Sequence, residues 1–113
     1  MVKTGIELIT EERRRQIEEE GYIPENDIKL NKNNELTYTA IYFIHPNKRI
    51  AKKFYPKQWN KIWAKKDKHD RIKQLKIAGA LIAAEIDRLN KLQITDVLKK
   101  SKKSFNLRFK NMI

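Results

Sequence analysis

The sequence predicts a mostly α fold: a small single-domain helical bundle with an irregular, basic, aromatic-containing connection, ending in a short strand or a tail. Three observations predict it. Residues 77–92 are alanine-rich and nearly uncharged in a chain of formal net charge +12, the pattern of a helix that lies in the core. Ile6, Ile9, Arg13, Ile17 and Glu20 recur on adjoining helical turns ahead of Gly21, a residue suited to stop a helix. A length of 113 residues with three Gly and three Pro, 40% hydrophobic and 35% charged, fits one folded domain.

The first helix is expected from Thr4 to Glu20. Glu11 and Arg15 support it as an i,i+4 pair, whereas the acids of its last turn oppose the helix dipole. Residues 22–28 read as a turn into a loop that Asn31, Asn33 and Asn34 prolong. The segment 35–44 reads two ways. Its threonines, tyrosines and isoleucines favour a strand, while Leu36, Ala40, Phe43 and Ile44 suit one face of a helix.

Residues 47–70 form the irregular connection, interrupted by Pro46 and Pro56. If Pro56 opens a short helix, Trp59 and Trp63 become i,i+4 neighbours. A long helix follows from about Asp70 to Leu92. Its small residues, Ala78, Gly79, Ala80, Ala83 and Ala84, admit a close neighbour, either another helix of this chain or a second copy in a homodimer. Thr95 and Asp96 are expected to cap a short final helix through Lys103, with 104–113 as strand or tail. One domain thus spans 1–113, with a core of about 4–92 and a basic C-terminal extension, 93–113.

The charge is unevenly placed. Residues 1–47 carry −3, residues 48–76 carry +10, residues 77–90 carry −1 and residues 91–113 carry +6. Two basic blocks therefore flank the apolar helix, and such a field attracts phosphates. The absence of cysteine excludes disulfides, thiolate nucleophiles and zinc knuckles. No apolar run reaches the ~18 residues of a membrane span, and Met1–Glu7 lacks the apolar core of a signal peptide, so a cytoplasmic protein with no membrane partner is expected.

No phosphate-binding glycine loop, serine elbow or HExxH motif is present, and His45 and His69 stand alone. An acidic residue never follows a glutamate at the third position, so the ExxE and ExxD pairs of Mg²⁺-dependent nucleotide pyrophosphohydrolases are missing. A hydrolase would have to use Glu12, Glu20 and Glu85. No metal or cofactor is expected.

The stronger constellation is basic and aromatic. Lysines between 52 and 66 interleave with Phe54, Tyr55, Trp59 and Trp63, an arrangement that stacks bases and meets phosphates, although either tryptophan could instead complete the core. Arg71, Lys73 and Lys76 open the long helix, where an anion could sit at its N-terminus. The candidate ligand-binding residues are Arg13, Arg15, Lys53, Trp59, Trp63, Lys65, Arg71 and Lys76. The partner expected is nucleic acid or a nucleotide; a host defence protein bound through the basic face is the alternative.

Glu12-Arg-Arg-Arg-Gln-Ile-Glu-Glu-Glu-Gly21 followed by Tyr22-Ile-Pro-Glu-Asn-Asp27, together with Ala78–Leu89, resembles an uncharacterised family of small phage and prophage proteins. Its motifs read approximately ERxRQIxxEGWTPEHDD and AGALIAAEIDRL. Ala78–Leu89 match the second throughout, whereas Tyr22, Asn26 and Ile28 replace a tryptophan, a histidine and an acid of the first. The resemblance covers about residues 6–92. It implies a mostly helical fold, with 35–44 as a helix, and a phage accessory protein that binds rather than catalyses, with counter-defence as one role.

Overall fold

The computed structural model describes residues 2–57, 59 and 70–112, and their side chains through Lys102. Among the described residues there are helices and no strands. Helix α1 spans Gly5–Arg15 and runs on as a π-helical turn, Gln16–Glu20; α2 is Pro24–Leu30, α3 Glu35–Ile44 and α4 Lys48–Ala51, with a 3₁₀ turn Lys52–Phe54; α5 is Arg71–Met112. Helices α3, α1 and α2 all pack on α5, which is the spine of the molecule.

Thr4 starts α1 through a capping box. Its hydroxyl accepts the Glu7 N–H at 3.2 Å and the Glu7 carboxylate accepts the Thr4 N–H at 3.3 Å. The expected end at Gly21 is correct: it takes the left-handed conformation, φ +72°, which carries no side-chain penalty in glycine. The helix does not stay α throughout, however. Widening to the π form over Gln16–Glu20 shifts its phase, and the buried positions of this element are the polar Glu12 and Gln16. Ile9 turns inward, while Ile6 and Ile17 are exposed.

The expected loop after residue 22 is instead a helix from residue 24. Pro24 sits at its first turn with φ preset and no N–H to waste, and the acids Glu25 and Asp27 complement the dipole there. Segment 35–44 is a helix. Leu36, Ala40, Tyr42 and Phe43 are buried from it and join Ala51, Ile77, Ala78, Leu81 and Ala84 in the core, with Tyr22, Tyr55 and Trp59 packed at its margin. The Tyr42 ring meets Phe43 edge-on at 5.1 Å and Tyr55 at 5.2 Å.

The small face of α5 is used within the chain. Ala78, Ala80 and Ala84 are fully buried, and Gly79 lies against the Ile9 side chain of α1. Arg71 ties α5 to the end of α3. Its guanidinium donates to the Ile44 carbonyl at 2.7 Å and the Phe43 carbonyl at 3.4 Å, groups that a helix C-terminus leaves without partners. Asp70 caps α5 by accepting the Lys73 N–H at 2.8 Å.

The expected break at residues 92–95 and the strand or tail beyond it are corrected. Helix α5 is continuous for 42 residues, about 63 Å at ~1.5 Å per residue. Thr95 does not cap a new helix; its hydroxyl donates to the Lys91 carbonyl one turn back, a bond compatible with an unbroken helix. Ile94, Val97 and Leu98 are exposed there. The short helix expected from Pro56 falls mostly outside the described residues; within them the Trp59 N–H donates to the Pro56 carbonyl at 3.2 Å, a single turn. No helix among the described residues is long and apolar enough to cross a membrane.

Candidate functional site

A cleft of about 430 Å³ opens where α1, α3 and α5 meet the connection that follows α4. This lies within the ~300–1,000 Å³ of typical small-molecule sites. Helix α1 and its π turn contribute Glu12, Arg15, Gln16 and Glu20; α3 contributes Thr39 and Phe43; α5 contributes Lys73, Lys76, Ile77 and Leu81. Tyr22, Tyr55 and Trp59 add an aromatic wall.

That wall joins the segment after the π turn to the connection after the 3₁₀ turn. The Tyr22 and Trp59 rings lie 5.5 Å apart and inclined by 35°. The Trp59 indole N–H donates to Asn31 Oδ1 at 3.2 Å, and Asn31 Nδ2 donates to Asp27 Oδ1 at 2.7 Å. Asn31 and Asp27 are buried, so the indole is held from behind by fixed groups. Burial also shapes the titration of these residues. It raises the Tyr22 hydroxyl far above its ordinary value, pushes the Tyr55 hydroxyl up to about 12, and raises the Asp27 carboxyl despite the Asn31 bond and the nearby Arg13 and Arg88.

The charged lining divides into satisfied and unsatisfied groups. Arg15 grips Glu12 with two nitrogens, Nη2 at 2.7 Å and Nε at 3.0 Å, and reaches Glu19 and Glu20 at 3.1 and 3.0 Å. These bonds hold its guanidinium firmly charged. Lys73 and Lys76, by contrast, form no close ion pair among the described residues, and Lys76 acts only at longer range, where after the Lys3 hydrogen bond its charge helps to lower the Glu11 carboxyl. Two acceptors are also unused: Gln16 Oε1 and Glu20 Oε2 are buried and receive no hydrogen bond among the described residues. Leaving such a group unpaired costs about 1–3 kcal/mol.

Of the residues singled out from the sequence, Arg15, Trp59 and Lys76 line this cleft. Arg13 lies elsewhere, bridging Asp87 of α5 at 2.8 Å and the Tyr22 carbonyl at 2.6 Å. Lys53 is exposed on the 3₁₀ turn, and Arg71 caps α3. Trp63 and Lys65 lie outside the described residues. Gln16 and Tyr22 were absent from the candidates; both belong to the first family-like motif, and that was their one sequence signal.

A second polar cluster, behind the wall, is structural in character. Arg88 is 6% exposed and takes the Glu85 carboxylate at 2.6 Å, while the charges of Glu35 and Asp27 further favour its charged form. Glu12, Glu20 and Glu85, the three carboxylates open to a hydrolase, are thus each held by an arginine. Among the described residues no three His, Cys, Asp or Glu side chains converge as a metal-holding group. No family model matches the chain, and no curated protein or solved structure is significantly similar to it.

Proposed function

We propose that this protein binds an anionic aromatic ligand, a nucleotide, in the cleft between α1, α3 and α5, without transforming it. The observation that carries the reading is the pairing of Lys73 and Lys76, two lysines that form no close ion pair among the described residues, with the Tyr22–Trp59–Tyr55 wall. Unpaired ammonium groups attract phosphate oxygens, and an aromatic face stacks a base at about 1–3 kcal/mol. The net charge of +12 raises the local concentration of any such anion. The family-like motifs favour a phage or prophage setting, in which holding a nucleotide signal away from a host system is a coherent role.

Polynucleotide is the second reading. It is favoured by the run of exposed basic residues on the far half of α5, Lys99, Lys100 and Lys102, well away from the cleft.

The two separate in one experiment. Protein purified from cells is denatured before and after a high-salt wash, and the released material is read by 260 nm absorbance and mass spectrometry. A discrete nucleotide that survives the wash supports the cleft; polynucleotide removed by salt supports the basic surface; clean protein points to a protein target. The decisive variant is Lys73→Ala with Lys76→Ala, expected to weaken nucleotide binding at least about tenfold and to flatten its salt dependence. Unchanged affinity and salt dependence would refute the cleft reading.

A further inference from the structure

The far half of α5 is exposed all round and yet sided in its chemistry. From Gln93 to Lys102 every residue is exposed except the half-buried Thr95. Ile94, Val97 and Leu98, at 55%, 62% and 64% exposure, hold the i, i+3 and i+4 spacing of one helix face. Helical register sets Asp96, Lys99 and Lys100 on the other side, with Lys91 and Lys102 along the border. The helix runs on to Met112, and the sequence places Phe105 and Phe109 two and three turns beyond Leu98, on the same line. Residues 91–113 carry +6, and Asp96 is their one acid.

We propose that the far half of α5 is a surface anchor for an anionic lipid bilayer, with Ile94, Val97 and Leu98 at the boundary of headgroups and acyl chains and the lysines on lipid phosphates. A basic helix with one apolar side is the form that such anchoring takes. Lysines that border the apolar side, as Lys91 and Lys102 do, can lay their stems along it and keep their ammonium groups at the phosphates. Other occupants meet only part of this chemistry. A polynucleotide would engage the lysines and leave the apolar side in water. A second copy of the chain would cover the apolar side and set +6 against +6. The expectation of no membrane partner came from the lack of a spanning run, and a helix that lies in the interface needs none. The anchor is independent of the cleft, and the two readings stand or fall separately.

The test is flotation of the full chain with vesicles of phosphatidylcholine alone and of equal parts phosphatidylcholine and phosphatidylglycerol, beside titration with a single-stranded oligonucleotide. The mixed vesicles are expected to bind at least about tenfold more tightly than the neutral ones, with the difference shrinking as salt rises. Val97→Ser with Leu98→Ser leaves every charge in place and removes apolar surface from two exposed positions. The double variant is expected to bind the mixed vesicles at least about tenfold more weakly, with an unchanged far-UV spectrum and an unchanged affinity for the oligonucleotide. Failure to float with the mixed vesicles would overturn the anchor, and oligonucleotide binding alongside that failure would assign the segment to polynucleotide. Vesicle binding that the double substitution leaves unchanged would also overturn it, because charge attraction from any basic part of the chain would then suffice.

Discussion

Replacing Gly79 with alanine tests the contact on which the α1–α5 packing turns. A Cβ at residue 79 would lie 2.6 Å from Ile9 Cδ1 and 2.8 Å from Ile9 Cγ1. Helix propensity alone favours alanine over glycine by about 1 kcal/mol. Overpacking a tight interface costs about 1–3 kcal/mol, and because Cγ1 is not a free chain end the clash cannot be relieved by swinging the terminal methyl alone. Gly79→Ala is therefore expected to destabilise the protein by about 1 kcal/mol. In an Ile9→Ala background the obstruction is gone, and the same change should stabilise by about 1 kcal/mol. The coupling, about 2 kcal/mol, stands well clear of the ~0.3–0.5 kcal/mol scatter of independent sites. Urea unfolding of the four proteins, followed by far-UV circular dichroism, measures it. If Gly79→Ala raises stability equally in both backgrounds, Ile9 does not cover residue 79 and the described crossing of α1 over α5 is wrong.

Two further outcomes follow from burial and exposure. Burial raises the Asp27 carboxyl, so its contribution to stability is full below the unfolded value near 3.8 and is lost as pH rises through the folded value. Asp27→Asn should then unfold at a higher temperature than wild type at neutral pH, with the gap closing as pH falls; an equal or lower midpoint at neutral pH would contradict the buried charge. A chain ending at Leu92 should keep the urea midpoint of the full protein while losing helical signal, because Ile94, Val97 and Leu98 are exposed. A large fall in the midpoint would mean that the far half of α5 supports the body.

Much of the architecture was legible because it follows from local chemistry. Thr4 and Gly21 announce the ends of the first helical element, and the alanines of 78–84 announce a helix that others approach closely. The segment 35–44 was ambiguous for a physical reason: threonine, tyrosine and isoleucine lean to strands, and burial of Leu36, Ala40 and Phe43 against α5 overrides that lean. Helix α2 escaped notice because Pro-Glu-Asn-Asp is turn chemistry, and the groups that hold it, Asn31 and Trp59, come from either side of α3. The continuity of α5 was hidden by Thr95 and Asp96, good caps that here sit inside a helix.

The site was legible in charge and not in pairing. Arg13, Arg15 and Arg71 read correctly as cations, yet Arg13 and Arg71 are engaged by partners that only the fold brings near, Asp87 and the end of α3, and Arg15 is engaged by Glu12, Glu19 and Glu20 of its own helical turns. The lysines left over define the cleft. Gln16 is hard to single out for the opposite reason, since apart from its place in the family-like motif a neutral amide in a run of arginines and glutamates carries no signal until it is buried.

The length of α5 has a practical consequence for anyone handling the protein. Its longest dimension is 65 Å and its radius of gyration 18.5 Å. A compact chain of this size would have a radius of gyration near ~13 Å. A monomer of this shape diffuses like a much larger sphere and will leave a sizing column early, at the position of a globular dimer. Its stoichiometry, and that of any complex it forms, has to be weighed by light scattering or native mass rather than inferred from elution volume.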